Sequence, residues 1–554
     1  MPTAWAQTAL LAFVAAIVGV IARRSDVPPL SRATLAWLAV LVLAAAAVRG
    51  LLVPHTVFRG HYNAFHQVRI DLGLIDGRDA TGLMLPGGHG VPLMWLSRVV
   101  AVGPGVYFGS NVLYGVIAVP VAFLALRTWL REDDHAALVG AALLALDPVH
   151  ARVAASEDPM ALATLCAWCG FLGLSMALRR GKIAWLVLTA TALAFSLAVK
   201  TDSLLVALGL AAVACCEGLR GRWSRPLERA TVAAALAWFT ASVAAVGWSV
   251  AHHPDYMQHR QYLGMPGLQY LDHAAGFPLA LLLHNPLIDP RYAPVATSLL
   301  AFLGLALGLR DRRREGVGWL VFLGLLFVRI YEDFPLPFDD ALGVDGGVKG
   351  DVRWNLHASV PWLTLAAYGI QQVGLSLRGP WARAGLIALG LASLVPTRRF
   401  WIHLWTDQHE ATLVRAAARA LPSPCALVTP SLEGAQDRRT PFVDPALPLV
   451  LLDLEAPRWR SIPRLHTMDL GPVGEDPRWH CAAFYRGLGC YVWPIDARPS
   501  AAQAERPECR QLFSGGGLAP VRGLTLRTRY EDYSAIHVVS PVVEFGFYRS
   551  AAVP

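Results

Sequence analysis

One polar stretch, residues 49 to about 105, lies between two segments rich in Ala, Leu and Val. Its ionisable residues include His61, His66, Arg69, Asp71, Asp76, Asp79 and His89. A carboxylate can accept a proton from an attacking hydroxyl, and nearby cations can stabilise a phosphate as it leaves. The alternative interpretation is a solvated loop with a turn at Asp76-Gly77 and an interfacial helix over 91–102.

Three more stretches place charged residues beside apolar segments. Residues 147–165 contain Asp147, His150, Arg152, Glu157 and Asp158. Lys200 follows one apolar segment, with Asp202 two residues later, and Arg353 precedes another. Structural roles are open for these residues, because an acidic pair can cap the following helix and Lys200 can pair with Asp202. In the functional interpretation, these side chains meet the acids of the first polar stretch in one site.

The composition is that of a membrane protein. Of the 554 residues, 16% are charged and 55% are hydrophobic, and the mean hydropathy is +0.43. A soluble chain has too much surface to cover with so few charges. The net charge of +8 comes from short basic clusters at the ends of apolar segments. This distribution favours membrane lipids with anionic headgroups as the partner and argues against nucleic acid.

Twelve apolar segments have lengths near the roughly 20 residues that a membrane-spanning helix needs. They cover residues 4–21, 33–48, 106–126, 135–149, 159–178, 183–199, 203–216, 231–250, 293–309, 316–331, 356–375 and 382–397. Alternate connections hold about 18 Lys and Arg in about 50 residues, whereas the opposite ones hold about 11 in about 135. Because positive charge is retained in the cytoplasm, we predict that the 49–105 stretch and all residues after 398 lie on the outer side.

After the last apolar segment the sequence changes to short alternating elements. We predict a helix over 406–421, strands over 425–430 and 447–454, a helix over 479–488, and strands over 518–529 and 542–550. The pattern indicates a small soluble α/β domain, residues 401–554. Its cysteines are Cys425, Cys481, Cys490 and Cys509. They fit an oxidising compartment and one or two disulfides, for which three pairings exist.

Four stretches, in this order along the chain, resemble the polytopic GT-C glycosyltransferases, particularly glycosyltransferase family 39. Residues 88–126, which begin GHGVPLMWLSRVV, resemble the family's H-P-P-L stretch, interfacial helix and next span. Residues 138–165 resemble the following pair of spans with their short outer turn. ALAFSLAVKTDSLL resembles the span that ends in a lysine, and VRWNLHASVPWLTLAAYG the late R-Y-x-x-x-x-x-P-x-L stretch.

This resemblance implies an enzyme that moves a sugar from a polyprenyl phosphate to an acceptor on the outer face. It implies that His89 is the family's loop histidine and that Lys200 and Arg353 contact the donor phosphate. No cofactor is expected, although some GT-C enzymes hold a divalent metal between carboxylates. Glu157 and Asp158 are the candidate ligands for such a metal.

The base in this resemblance is an acid of the first outer loop. The family's Asp-Glu pair aligns with Gly60 and His61 in this sequence. We therefore expect the base among acids further along the chain, with Asp71 first and Asp158 or Asp79 next. His61 and Arg69 are expected to contact the substrate from the same loop.

We expect a mostly α-helical fold with a GT-C-like transmembrane domain of about 12 helices, residues 1–400, followed by the soluble α/β domain. The expected protein is a multi-pass enzyme of a bacterial inner membrane, with its C-terminal domain in the periplasm. Its partners would be a polyprenyl-phosphate-linked sugar and an acceptor that is a lipid, a glycan or a protein. A twelve-helix transporter or flippase, and a non-catalytic scaffold that displays the C-terminal domain, are the alternatives. A transporter predicts charged residues at the middle of the membrane.

Overall fold

The computed structural model describes most of the chain in separate stretches. The described residues are 2–22, 29–53, 55, 88–101, 103–156, 158–217, 226–251, 294–332, 356–376, 392, 395, 397, 412–429, 452, 456–459, 461–487, 490, 507–514, 517–529 and 542–551. They form helices up to residue 376 and a mixed sheet after residue 426.

The helices coincide with the predicted apolar segments. They are α1 (Pro2–Ala22), α2 (Arg32–Ala47), α3 (Gly90–Leu96), α4 (Pro104–Trp129), α5 (Asp134–Ala145), α6 (Pro148–Ala154), α7 (Met160–Arg180), α8 (Leu186–Val199), α9 (Ser203–Cys216), α10 (Pro226–Ala251), α11 (Val295–Asp311), α12 (Arg313–Glu332) and α13 (Ser359–Ser376). Among the described residues, eleven of the twelve predicted segments fall on a helix. The twelfth, 382–397, lies almost wholly outside them, so the number twelve stays a prediction.

Several of these helices can span a membrane. Within the described stretches, four segments are long and apolar enough: Arg32–Leu52, Gly105–Trp129, Met160–Arg180 and Glu228–Trp248. Helices α5 and α6 together form a further candidate, bent by 57° at a short break. At this break, the Asp147 side chain accepts a hydrogen bond from His150 N (2.7 Å) and so starts α6. The chain is therefore a multi-pass membrane protein.

One end of the helix bundle, called the basic end here, is joined by ion pairs. Glu315 at the start of α12 accepts hydrogen bonds from Trp129 Nε1 (2.7 Å) and Arg179 Nη2 (2.9 Å). Arg179 Nη1 also lies 3.1 Å from Glu217 Oε2, just after α9. The ends of α4, α7 and α9 and the start of α12 therefore lie together. The prediction that the basic connections share one end is confirmed for these helices.

The opposite end, called the site end, holds the connections in which we expected chemistry. Arg49, in a π-helical turn that extends α2, donates to Ala145 O (2.7 Å) at the end of α5. Gly88 N donates to Ala198 O (2.7 Å) at the end of α8. Helix α7 starts at this end and is central, since 94% of its apolar segment is buried.

The C-terminal part contains a five-stranded sheet. Its strands are β1 (Leu427–Thr429), β2 (Arg464–His466), β3 (Ala483–Arg486), β4 (Leu518–Arg529) and β5 (Val542–Ser550). The order is β2-β1-β3-β5-β4, with β1 parallel to β2 and β3, and β5 antiparallel to β3 and β4. A helical stretch, residues 412–420, and α14 (Pro507–Ser514) accompany the sheet.

The predicted helix over 479–488 is wrong. Residues 477–480 form a 3-10 turn, and strand β3 follows in the middle of the sheet. The physical reason is that a central strand is covered on both faces, so its run of apolar residues has no alternation that distinguishes it from a buried helix. Of the predicted strand 447–454, only Leu452 is described, and it is helical. The strands predicted over 425–430, 518–529 and 542–550 contain β1, β4 and β5.

Two disulfides fix this part of the chain. Cys425 pairs with Cys481, 56 residues apart, and Cys490 pairs with Cys509, 19 residues apart. The sequence predicted one or two disulfides here, and the structure has two. In the chain-entropy model, loops of these lengths stabilise the fold by about 4 and about 3 kcal/mol respectively.

The sheet packs on the site end of the helix bundle. Leu93 of α3 and Tyr107 and Phe108 of α4 belong to the same buried cluster as the sheet residues Phe484 and Phe547. These contacts place the sheet beside the polar segment at residues 88–89 that leads into α3. The predicted domain boundary at residue 400 lies outside the described residues.

Candidate active site

His89 is held against the end of α8. The backbone bond from Gly88 N to Ala198 O is so close that a Cβ at residue 88 would lie 2.3 Å from that oxygen. Glycine is therefore required for this segment to pack two residues before Lys200. His89 itself is 2% exposed and directly precedes α3.

Asn111, two turns into α4, joins His89 to the turn between α6 and α7. Its Oδ1 lies 3.0 Å from His89 Nε2. Its Nδ2 donates to Ser156 O (2.6 Å) and reaches Asp158 O at 3.4 Å. Asn111 is fully buried, and hydrogen bonds in such low-dielectric surroundings are strong.

Asp158 presents a carboxyl group at the start of α7. Its Oδ1 accepts a hydrogen bond from the backbone N of Met160 (2.9 Å), the first residue of α7, so it satisfies one of the N–H groups at the helix start, although the N-cap position itself is Pro159. Burial raises the pKa of Asp158 above its ordinary value, against the opposing attraction of Lys200, His89 and Arg152. A carboxylate with a raised pKa is a stronger proton acceptor than an exposed aspartate.

Lys200 follows the last residue of α8. Its backbone N donates to Ser196 O (2.8 Å), and its Nζ lies 3.8 Å from Asp202 Oδ2. The pairing with Asp202 that the sequence suggested is thus present, at a distance typical of a weak ion pair. The same ammonium group also acts electrostatically on Asp158.

The structure brings together the three predicted site residues that it describes, His89, Asp158 and Lys200. They come from three separate connections of the chain: Asn111 contacts His89 Nε2 and Asp158 O, and Lys200 is close enough to Asp158 to influence its ionisation. The other predicted site residues lie outside the described residues: Asp71, Asp79, His61, Arg69, Glu157 and Arg353. Their roles stay predictions.

The surroundings of Asp158 fit a divalent metal poorly. Lys200 and Arg152 are cations close enough to influence its ionisation, and they repel a metal ion at the same carboxylate. Within the described stretches, no group of three or more His, Cys, Asp or Glu could hold a metal ion. Glu157, the other candidate ligand, lies outside those stretches.

A second buried network at the site end was not predicted from the sequence. Arg49 donates to Leu144 O (3.0 Å), and its Nη2 lies 2.7 Å from His150 Nδ1. Arginine can only donate, so Nδ1 of this histidine accepts. The network fixes the start of the 49–105 stretch on the corner between α5 and α6. The sequence signal was an arginine at the end of an apolar segment, which needs a buried partner or a polar surface.

Asn111 was missed as well, although its signal is visible. It is a lone amide within an apolar segment, and an amide in a membrane-spanning helix needs hydrogen-bond partners. The sequence could not show that these partners are a histidine 22 residues earlier and a turn 45 residues later.

Several solved structures resemble the chain at low similarity. An oligosaccharyltransferase from Archaeoglobus fulgidus in complex with Zn and sulfate is 13% identical, with a TM-score of 0.41, and the match covers 74% of this chain and 57% of that one. ArnT from Cupriavidus metallidurans bound to undecaprenyl phosphate is 13% identical, with a TM-score of 0.45, and the match covers 93% of this chain and 98% of that one. The arabinofuranosyltransferase AftD from Mycobacteria is 15% identical, with a TM-score of 0.44, and the match covers 95% of this chain and 42% of that one. The chain thus spans 57% of the length of the oligosaccharyltransferase. With TM-scores below 0.5, these likenesses carry no argument about function.

The family comparison is more specific. No curated protein matches the chain. Residues 107–263 match the family model described as dolichyl-phosphate-mannose-protein mannosyltransferase. This range contains Asn111, Asp158 and Lys200 of the site. The match confirms, over residues 107–263, that the chain resembles the GT-C glycosyltransferases of family 39.

Proposed function

We propose that this membrane protein is a glycosyltransferase that moves a sugar from a polyprenyl phosphate to an acceptor on the extracytoplasmic face. The observation that supports it is the meeting of a buried carboxyl group (Asp158), an imidazole (His89) and an ammonium group (Lys200) at one end of the bundle. Asp158 and Lys200 lie within the range that matches the mannosyltransferase family.

A carboxylate takes the proton of the acceptor hydroxyl or amine in this reaction. Asp158 is the candidate base among the described residues, and Asp71 and Asp79 are the candidates outside them. The acceptor atom attacks the anomeric carbon from the side opposite the phosphate. The bond from the anomeric carbon to the phosphate oxygen breaks, its electron pair leaves with the polyprenyl phosphate, and the anomeric configuration inverts.

Lys200 stabilises the negative charge that develops on the departing phosphate. Its side chain is mostly buried, with 15% of its surface exposed, and a cation in low-dielectric surroundings acts more strongly than one in water. Arg353 is the second cation proposed for this role, with His61 and Arg69 as further substrate contacts. The mechanism has no step at a metal.

The charge distribution supports an extracytoplasmic site. The basic end joins connections rich in arginine, which the translocation bias retains in the cytoplasm, and the site lies at the opposite end. In a bacterial inner membrane, the site and the C-terminal sheet would then face the periplasm. A lipid-linked donor fits that side, where the acceptor is a lipid, a glycan or a protein.

The test measures sugar transfer from a radiolabelled polyprenyl-phosphate donor by the purified protein in lipid vesicles. Asp158→Asn keeps an oxygen that can accept the Met160 N–H bond but takes no proton, so we expect a loss of about 10²-fold or more with the fold intact. Lys200→Ala should lose about tenfold or more, since it removes the cation. Lys182→Ala, at an exposed lysine before α8, is the control and should leave the rate unchanged.

Each outcome of this test is decisive. Absence of transfer by the unmodified protein would favour the transporter or scaffold alternatives. Full activity of both Asp158→Asn and Lys200→Ala would remove these residues from the mechanism. If only Asp158→Asn is active, Asp71→Asn and Asp79→Asn identify which loop acid is the base.

A further inference from the structure

The orientation of the Asn111 amide is fixed by its neighbours. Its Nδ2 lies 2.6 Å from Ser156 O, a carbonyl oxygen that can only accept a hydrogen bond. Turning the amide by 180° would place two acceptor oxygens at that distance, which is repulsive. The second carbonyl, Asp158 O, acts in the same direction at 3.4 Å. Oδ1 of Asn111 must therefore face His89.

This orientation determines where His89 carries a proton. Asn111 Oδ1 has no hydrogen to give, so the 3.0 Å contact requires a hydrogen on His89 Nε2. The requirement holds for the neutral ring and for the imidazolium ion, because Nε2 is protonated in both. Every gain or loss of a proton by this histidine then takes place at Nδ1.

The rest of the environment keeps the ring in this arrangement. Gly88 ties the adjoining backbone to Ala198 O, and Asn111 itself is fully buried in α4. The charged groups that act on the same region are Asp158, Lys200 and Arg152. Lys200 and Arg152 can only donate hydrogen bonds, so neither of these cations replaces the neutral acceptor that Asn111 supplies.

We propose that Asn111 is a positioning residue of the transfer reaction: it holds the proton of His89 on Nε2 and ties the ring to the turn that carries Asp158. This inference rests on the proposed transferase function for its role in the reaction. The tautomer of His89 follows from the contacts alone. In the neutral ring, Nδ1 is then the nitrogen that accepts a hydrogen bond, and in the imidazolium ion both nitrogens are donors.

The first experiment is a spectroscopic one that needs no activity. Protein labelled with 15N in its histidine rings is placed in lipid bilayers, and the His89 signals are identified as those lost in His89→Gln, since the chain has 17 histidines. Glutamine keeps an N–H donor toward Asn111, which preserves the local packing. We expect a protonated Nε2 in the neutral wild-type ring. A ring protonated on Nδ1 alone would overturn the proposal.

The second experiment is a double-mutant cycle on the transfer rate, with Asn111→Leu, His89→Ala and the combined variant. Asn111→Leu removes the acceptor and keeps the branched skeleton of the side chain, so we expect about tenfold lower kcat. If Asn111 acts through His89, adding Asn111→Leu to His89→Ala should cost less than about twofold. If the rate losses of Asn111→Leu and His89→Ala multiply in full in the combined variant, Asn111 does not act through His89 and its role is merely structural.

The control is Ser110→Ala on the neighbouring position of α4. Its hydroxyl bonds to Tyr107 O within the same helix, so we expect kcat and the His89 spectrum to stay unchanged. A protein with the expected spectrum but no transfer would refute the proposed function and leave the tautomer in place. A protein that transfers sugar with the wrong tautomer would refute this inference alone.

Discussion

Gly88 contacts the last turn of α8 through backbone atoms alone. Replacing it with alanine would place a Cβ 2.3 Å from Ala198 O, so the segment that carries His89 must shift by about 1 Å. A displacement of that size at a catalytic group can lower the rate by up to about 10²-fold. We therefore expect Gly88→Ala to reduce sugar transfer at least tenfold, measured with the same radiolabelled donor.

The matched control is Gly109→Ala on α4. A Cβ at this position meets no atom within 4 Å, and alanine favours a helix over glycine by about 1 kcal/mol. This variant should transfer sugar at the wild-type rate with equal or higher thermal stability. Equal rates for both alanine variants would show that the backbone contact of Gly88 does not position the site.

His89, Asp158 and Lys200 could be chosen as candidates from the sequence, because each is a polar group next to an apolar segment. The same reasoning passed over Asn111 and Arg49, whose partners lie on other helices. Hydrogen bonds between distant stretches, such as the one from Arg49 to Ala145 O, leave no pattern in a single sequence. The site could therefore be predicted as a set of candidates but not as a geometry.

At the scale of elements, the basic end is held by two acids, of which Glu315 is buried and Glu217 half-buried. Both acids form ion pairs with Arg179. Burial and the neighbouring carboxyl group of Glu315 raise the pKa of Glu217. Burial also acts to raise the pKa of Glu315, but Arg179, Glu217 and Arg312 bring it below its ordinary value. Glu217 is therefore the acid of this pair that binds a proton first as the pH falls.

This asymmetry predicts opposite effects for two similar substitutions. The raised pKa of Glu217 contributes stability that is present below its ordinary value of 4.5 and is lost as the pH rises through the folded value. Glu217→Gln imitates the protonated acid at every pH, so we expect a higher thermal midpoint than wild type at pH 8, by about 1 kcal/mol in stability. The difference should shrink near pH 5, and thermal unfolding in detergent at both pH values measures it.

Glu315→Gln should instead destabilise the protein at pH 5 and at pH 8. The lowered pKa of Glu315 contributes stability above its ordinary value, and glutamine loses the ion pairs with Arg179 and Arg312. The loss in the free energy of unfolding should be below the roughly 3–5 kcal/mol expected when one partner of a buried ion pair is removed, because Arg179 keeps its ion pair with Glu217. Equal shifts for the two glutamine variants would contradict this order of protonation.

Most helices could be predicted because a bilayer imposes one length and one composition on them. The sheet was harder, and the strand β3 was mistaken for a helix. Its residues Phe484 and Tyr485 are buried between β1 and β5, and partners 56 and more residues away in the chain determine its conformation. Short apolar runs take their structure from such partners rather than from local sequence.

At the scale of the whole molecule, the two ends of the bundle differ in charge and in redox chemistry. Arginine connections gather at the basic end, whereas both disulfides lie in the C-terminal part that packs on the site end. Positive charge is retained in the cytoplasm, and disulfides persist in oxidising compartments. The two arguments are independent, and both support the proposed orientation, in which the site end lies outside the cytoplasm.

That orientation predicts which engineered thiols a membrane-impermeant maleimide reaches. Lys182→Cys, in the exposed connection before α8, should react only after permeabilisation of spheroplasts, and Arg522→Cys, exposed on β4, should react in intact spheroplasts. Cys215 is a native exposed thiol at the end of α9, so both variants also carry Cys215→Ser to lower background labelling. The protein with Cys215→Ser alone is the control. Labelling of Lys182→Cys without permeabilisation, or protection of Arg522→Cys, would place the site end in the cytoplasm. A lipid-linked donor would then have to be used on the cytoplasmic side, and the disulfides would have to survive in a reducing compartment.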